Sequence, residues 1–227
     1  LDRKEVKDVL SYWRLIANSK DDASLRRILN FPARGIGKTA IEKLGTLAFE
    51  QSKPFFEVLD QAPGLAVRGA EGCVRFRNLI LDLRRQLELT ETKPEMLAHW
   101  AKRSLEAIGI KRALEAEEED PAQVAKKWEN VEELVHSIGQ INMGDFEVPA
   151  PVVPDLVLAS DAGAAVVMEP GLTAVKLLHD FLAKMTLDVQ EAEEDKKDRD
   201  KKKEKDEVTL LTLHGAKGLE YPIVFLV

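Results

Sequence analysis

The chain turns between two predicted helices at residues 30–39, which read Asn-Phe-Pro-Ala-Arg-Gly-Ile-Gly-Lys-Thr. The last three residues match the end of the phosphate-binding loop G-x-x-x-x-G-K-[ST]. That loop needs its first glycine at position 32, where this chain has proline, and it follows a buried strand rather than a helix. The turn therefore predicts a helix-hairpin-helix in a mainly helical fold, and not a nucleotide-binding loop.

This hairpin is a candidate contact for the phosphate backbone of duplex DNA. Its two glycine amides and the start of the following helix can face an anion, and contacts of that kind read backbone position rather than base sequence. Ile36 is expected to anchor the hairpin in the core. The residues predicted to form the duplex-binding site are Arg34, Gly35, Ile36, Gly37, Lys38 and Thr39. A plain glycine turn without a ligand is the alternative, and the basic flanks Arg26, Arg27 and Lys43 favour DNA.

The charge of the chain is distributed unevenly. The 227 residues carry a net charge of -7, yet residues 1–44 contain ten Lys/Arg and six Asp/Glu. Contacts with phosphate are therefore expected in this first part. One cysteine, Cys73, excludes a disulfide framework and a multi-cysteine metal site and fits a reducing, cytoplasmic compartment. No uninterrupted apolar run approaches the ~18 residues of a membrane span.

Most of the remaining chain has helical periodicity. Apolar residues at three- and four-residue spacing predict helices over residues 5–17, 22–29, 40–48, 55–59, 72–89, 93–109, 123–138 and 172–187. Phe76, Trp100 and Trp128 lie on these apolar stripes and are expected in the core. The histidines have no metal-ligand spacing, so no metal site is predicted. Residues 142–168 carry three prolines and predict a long surface loop.

The C-terminal residues 208–227 read VTLLTLHGAKGLEYPIVFLV. Two apolar runs rich in β-formers flank a short polar loop, which predicts two buried strands at the edge of an α/β sheet. His214 and Lys217 supply donors in that loop, and Glu220 supplies an acceptor for a sugar hydroxyl. A polar turn without a ligand would also fit these residues taken alone.

As a whole, the string TLHGAKGLE at residues 212–220 closely resembles a motif of the UvrD/Rep-type superfamily 1 DNA helicases. In these enzymes the motif follows an insertion in the second motor domain. The entry to that insertion, the helical subdomain 2B, is similar to residues 5–10, 18, 21–22, 25–30 and 32–37, which end in Gly35-Ile36-Gly37. The predicted helix at 172–187 followed by residues 208–227 resembles the exit from 2B. The middle of the chain is similar only in its helical pattern, and slightly favours Rep-like members.

The resemblance implies four segments. Residues 1–17 would be the edge of the RecA-like domain 2A, and residues 18–187 would be subdomain 2B. Residues 188–207, with ten Asp/Glu and seven Lys/Arg, would be a charged flexible linker that departs from most relatives. Residues 208–227 would return into 2A. Carried over by position, Thr212, His214 and Lys217 would bind single-stranded DNA, and Glu220 would bind the nucleotide.

The resemblance also implies an activity for the parent protein. We expect an ATP-dependent 3′-to-5′ DNA helicase that uses ATP and Mg²⁺ and has DNA and the rest of the motor as its partners. Because the chain has no phosphate loop, it is expected to contain no catalytic residues and to hydrolyse no ATP by itself. Both chain ends suggest an excised fragment. The alternative is a free-standing helical adaptor that binds DNA or a protein without a motor.

Overall fold

The computed structural model describes residues 3–142, 144 and 173–186, and this part is mainly helical. The α-helices are α1 (Lys4–Ala17), α2 (Asp22–Ile28), α3 (Lys38–Glu50), α4 (Ala70–Glu88), α5 (Pro94–Ile108), α6 (Ile110–Glu117), α7 (Pro121–Gly139) and α8 (residues 174–186). A 3-10 helix, Phe55–Leu65, connects α3 to α4. The predicted helical fold is thereby confirmed. The predicted strands, the charged linker and nearly all of the predicted loop at 142–168 lie outside the described residues.

The first helix forms the centre of the core. Helix α1 packs against α2, α4 and α7, and Arg14 near its end donates to Thr186 of α8 at 2.9 Å. Its side chains Tyr12 and Trp13 are fully buried. The sequence predicts an amphipathic helix here, but the structure also buries polar positions of α1, because distant side chains satisfy them. Glu5 accepts from Asn130 of α7 at 2.6 Å.

Two tryptophans connect α1, α4 and α5 through hydrogen bonds. Trp13 donates its indole N–H to Ser104 of α5 at 3.0 Å, and Trp100 of α5 donates to the Leu83 carbonyl of α4 at 3.1 Å. Both side chains are fully buried, as is Phe76 of α4. The prediction of Phe76 and Trp100 as core residues is confirmed. Trp128 is only partly buried and donates to Glu132.

The described helices also bear on the predicted absence of a membrane span and of a metal site. None of them is long and apolar enough to cross a membrane. Within the same ranges, no group of three or more His, Cys, Asp or Glu side chains is placed to hold a metal ion.

Candidate nucleic-acid interface

The hairpin at residues 30–37 joins α2 to α3 and is closed by one side chain. The Asn30 side-chain oxygen accepts the Arg34 amide at 2.9 Å and the Ile36 amide at 3.1 Å. Gly35 has φ of 71°, a left-handed conformation that favours glycine. The sequence Asn-x₄-Gly-Ile-Gly therefore builds a tight turn whose shape is fixed locally.

The outer side of the hairpin is open. Ile36 is 2% exposed and packs in the core, which confirms its predicted role as an anchor. Gly35, Gly37, Lys38 and Thr39 are exposed. Gly37 is the N-cap of α3 and contributes no capping side chain. Because the first amides of a helix have no acceptor within it, this end of α3 presents backbone donors to solvent or to an anion.

The Arg34 side chain stabilises the hairpin on the side that faces the core. One of its terminal nitrogens donates to the carbonyls of Ile28, Leu29 and Pro32 at 3.2, 3.3 and 3.0 Å. The other donates to the Tyr12 hydroxyl at 2.6 Å, and the guanidinium lies 4.9 Å from the centroid of the Phe76 ring. The sequence predicts a phosphate contact for Arg34. The structure instead uses its guanidinium to satisfy carbonyls at and just beyond the end of α2.

Tyr12 links this arrangement to the central helix. Its hydroxyl accepts from Arg34 and donates to the Phe31 carbonyl. Burial raises the pKa of Tyr12 to about 12, and the Arg34 guanidinium opposes this shift. Sequence reasoning missed this residue, because 22 positions separate it from Arg34 and no local pattern joins them.

The raised pKa gives a test of this buried contact. Since the pKa of Tyr12 is higher in the folded chain than in an unfolded one, its stabilising effect is complete below about pH 10 and decreases as the pH rises towards 12. We expect the free energy of unfolding to fall over this range by up to about 1.4 kcal/mol per pH unit. Urea unfolding at several pH values should show a smaller decrease in Tyr12→Phe. Parallel decreases in the two proteins would contradict the buried hydroxyl.

The start of α4 closes the hairpin from the other side. A Cβ atom on Gly72 would lie 2.6 Å from the Arg34 carbonyl oxygen and 3.3 Å from the Ile36 side chain. A Cβ atom on Gly69 would overlap the Gly35 carbonyl, and Gly69 itself has φ of 84°. These glycines allow two backbones to touch. A glycine pair before a helical pattern is the signal from which this contact could have been inferred.

The basic side chains near the hairpin differ in their availability. Arg27 donates to buried Asp8 at 2.7 Å, Arg26 lies 4.7 Å from the centroid of the Phe55 ring, and Lys43 lies 3.5 Å from the Leu65 carbonyl oxygen. Lys38 is different, since its side chain is 90% exposed and its nitrogen is 3.8 Å from a Glu42 oxygen. Exposed pairs of this kind contribute little, so Lys38 remains available to a phosphate.

A second site is predicted near the end of the chain. Thr212, His214, Lys217 and Glu220 lie outside the described residues, and their contacts with single-stranded DNA and nucleotide stay predictions.

Comparisons with known proteins cover the whole chain. A family model described as the UvrD-like helicase C-terminal domain matches residues 1–227. The ATP-dependent DNA helicase PcrA of Staphylococcus aureus is 32% identical over 232 residues, which cover 99% of this chain and 26% of the relative. PcrA of Staphylococcus epidermidis has the same identity and coverage. The chain thus spans about a quarter of the length of the curated relatives that it matches.

Proposed function

The chain belongs to the family of UvrD-like helicase C-terminal domains, and from that premise we propose that it is the 2B part, with edges of 2A, of an ATP-dependent 3′-to-5′ DNA helicase. Its proposed role is to contact duplex DNA through the hairpin and to regulate unwinding. The relatives named ATP-dependent DNA helicases support the activity of the parent protein. They also favour this function over a free-standing adaptor.

One observation supports the proposed duplex contact: the hairpin has a fixed inner side and an exposed outer side. Its inner side is fixed by Tyr12, Asn30 and Gly72, while Gly35 and the start of α3 are exposed. A site that is already in its binding shape loses little conformational entropy when a phosphate arrives. We therefore assign the phosphate contacts to the amides of Gly35, Gly37, Lys38 and Thr39 and to the Lys38 side chain.

The turn at residues 32–39 lacks the pattern of a phosphate loop. Pro32 stands where a phosphate loop needs glycine, and the same part of the chain offers no metal-binding cluster. ATP and Mg²⁺ would then be held mainly by other parts of the parent protein, with Glu220 as a proposed nucleotide contact. Thr212, His214 and Lys217 are the proposed contacts with single-stranded DNA.

A salt titration of duplex binding tests the proposed function. We expect the 227-residue chain to bind a fluorescent duplex without sequence preference, with a dissociation constant on the order of 10⁻⁴ to 10⁻⁶ M. Lys38→Ala should reduce the slope of log K against log salt by about 0.9, because one phosphate contact is lost.

The matched control is Lys53→Ala. Lys53 is also exposed but follows the opposite end of α3, about 20 Å from the hairpin at ~1.5 Å per residue. Its removal should leave the slope unchanged. The assignment fails if the two variants have the same slope, and the proposed function fails if the unaltered chain shows no duplex binding.

A further inference from the structure

The exposed surface of the hairpin continues directly onto the start of α4. The backbones meet at Gly69 and Gly72, with no room for a Cβ atom between them. The residue before Gly69 is Arg68. Because consecutive Cα atoms are about 3.8 Å apart, the Arg68 backbone lies within roughly 8 Å of the Gly35 carbonyl.

Arg68 is the arginine at this junction whose side chain is free to bind a ligand. It is exposed and makes no hydrogen bond or ion pair with any other residue in the ranges that the structure describes. By contrast, the Arg34 side chain donates hydrogen bonds to Pro32 and Tyr12, and the Arg27 side chain forms an ion pair with Asp8. The Arg75 side chain, in the second turn of α4, is 70% exposed and lies 3.1 Å from a Glu71 carboxylate oxygen.

The two segments that meet at this junction have a net positive charge, whereas the whole chain is net negative. Residues 38–43 and 68–75 together carry four basic side chains, Lys38, Lys43, Arg68 and Arg75, and two acidic ones, Glu42 and Glu71. The chain as a whole has a net charge of -7. Such a local excess of positive charge is the complement of a polyanion.

Duplex DNA is the polyanion that this surface fits. A duplex carries one negative charge per ~1.7 Å of its axis. A phosphate bound at the hairpin therefore has neighbours within about 10 Å, and an exposed arginine side chain at that distance can reach one. We propose that the duplex surface extends from the hairpin onto residues 68–75, with Arg68 as a second phosphate contact. This inference rests on the proposed function.

The test compares Arg68→Ala with Arg68→Lys and Arg103→Ala. Arg103 is also exposed but lies on α5, one turn after Trp100. The Trp100 indole N–H donates to the Leu83 carbonyl of α4, which places this part of α5 far from the start of α4. Leu83 is 14 residues from Gly69, or about 21 Å along α4 at ~1.5 Å per residue. Each variant is measured by anisotropy with the same duplex and salt series, after circular dichroism confirms the helix content.

We expect Arg68→Ala to weaken duplex binding about three- to tenfold at low salt and to reduce the salt slope by about 0.9. Arg68→Lys should keep most of the affinity, and Arg103→Ala should bind as the unaltered chain does. If Arg68→Ala binds like Arg103→Ala while Lys38→Ala still lowers the slope, the extension is wrong and the hairpin site stands. If the unaltered chain binds no duplex, both proposals fail.

Discussion

Replacing Gly37 by valine is expected to abolish duplex binding and to leave the fold intact. The backbone at Gly37 has φ of -85° and ψ of 167°, an extended conformation that β-branched residues readily adopt. A Cβ atom there would meet no other atom within 4 Å. The side chain would nevertheless stand beside the first amides of α3, where the phosphate must approach. We expect no measurable duplex binding, because the backbone contact supplies most of this weak affinity.

The control for this substitution is Thr46→Val, which places the same side chain on the exposed face of α3. Thr46 lies nine residues from Gly37, about 13 Å along the helix axis. Duplex affinity should be unchanged in this variant, and circular dichroism should be the same in both. If Gly37→Val is folded and binds as tightly as Thr46→Val, the hairpin is only a turn.

The second large effect is expected from Gly72→Ala. In most helices this substitution stabilises by about 0.5–1 kcal/mol. Here the new methyl group would lie 2.6 Å from a backbone carbonyl oxygen of the hairpin. Overpacking against backbone usually costs about 1–3 kcal/mol, so the free energy of unfolding should decrease. Duplex affinity should decrease as well, since the hairpin must move away from α4.

Gly45→Ala provides the comparison. Gly45 is also inside a helix, and its added methyl group would approach only the flexible end of Arg26, at 3.4 Å. Urea unfolding should show this variant to be as stable as the unaltered chain or slightly more stable. A Gly72→Ala protein that is equally stable and binds duplex normally would contradict the close contact between α4 and the hairpin.

Local pattern was sufficient to predict most of the helices, though not α6 (Ile110–Glu117), and a tight turn between α2 and α3. Pro32 excludes the phosphate loop, and the two glycines with Ile36 indicate a turn that is anchored in the core. These features depend on a few neighbouring residues, which is why spacing alone reveals them. The C-terminal strands lie outside the described residues and remain predicted.

Contacts between distant residues could not be predicted in the same way. Arg34 looks like a phosphate ligand in a basic, glycine-rich turn, yet its half-buried guanidinium donates to Tyr12 and lies against the Phe76 ring. Gly72 looks like a weak point of a helix, although it is the place where α4 meets the hairpin. The sequence pattern of α1 predicts an exposed polar face, yet Glu5 on this helix is buried and accepts a hydrogen bond from Asn130, 125 residues away. In each case the three-dimensional partner determines the role.

This arrangement connects the proposed DNA contact to the rest of the chain. Tyr12 belongs to α1 and bonds both Phe31 and Arg34 at the base of the hairpin. A displacement of α1 would therefore act directly on the hairpin.

In the proposed complex, backbone amides of the hairpin bind duplex phosphates. The most direct measurement is a titration of the ¹⁵N-labelled chain with a short duplex, followed by amide chemical shifts. The amides of Gly35, Gly37, Lys38 and Thr39 should shift together and saturate at one dissociation constant, while those of α5 stay in place. Complex formation in which the signals of these four amides do not shift would contradict a phosphate contact at the hairpin.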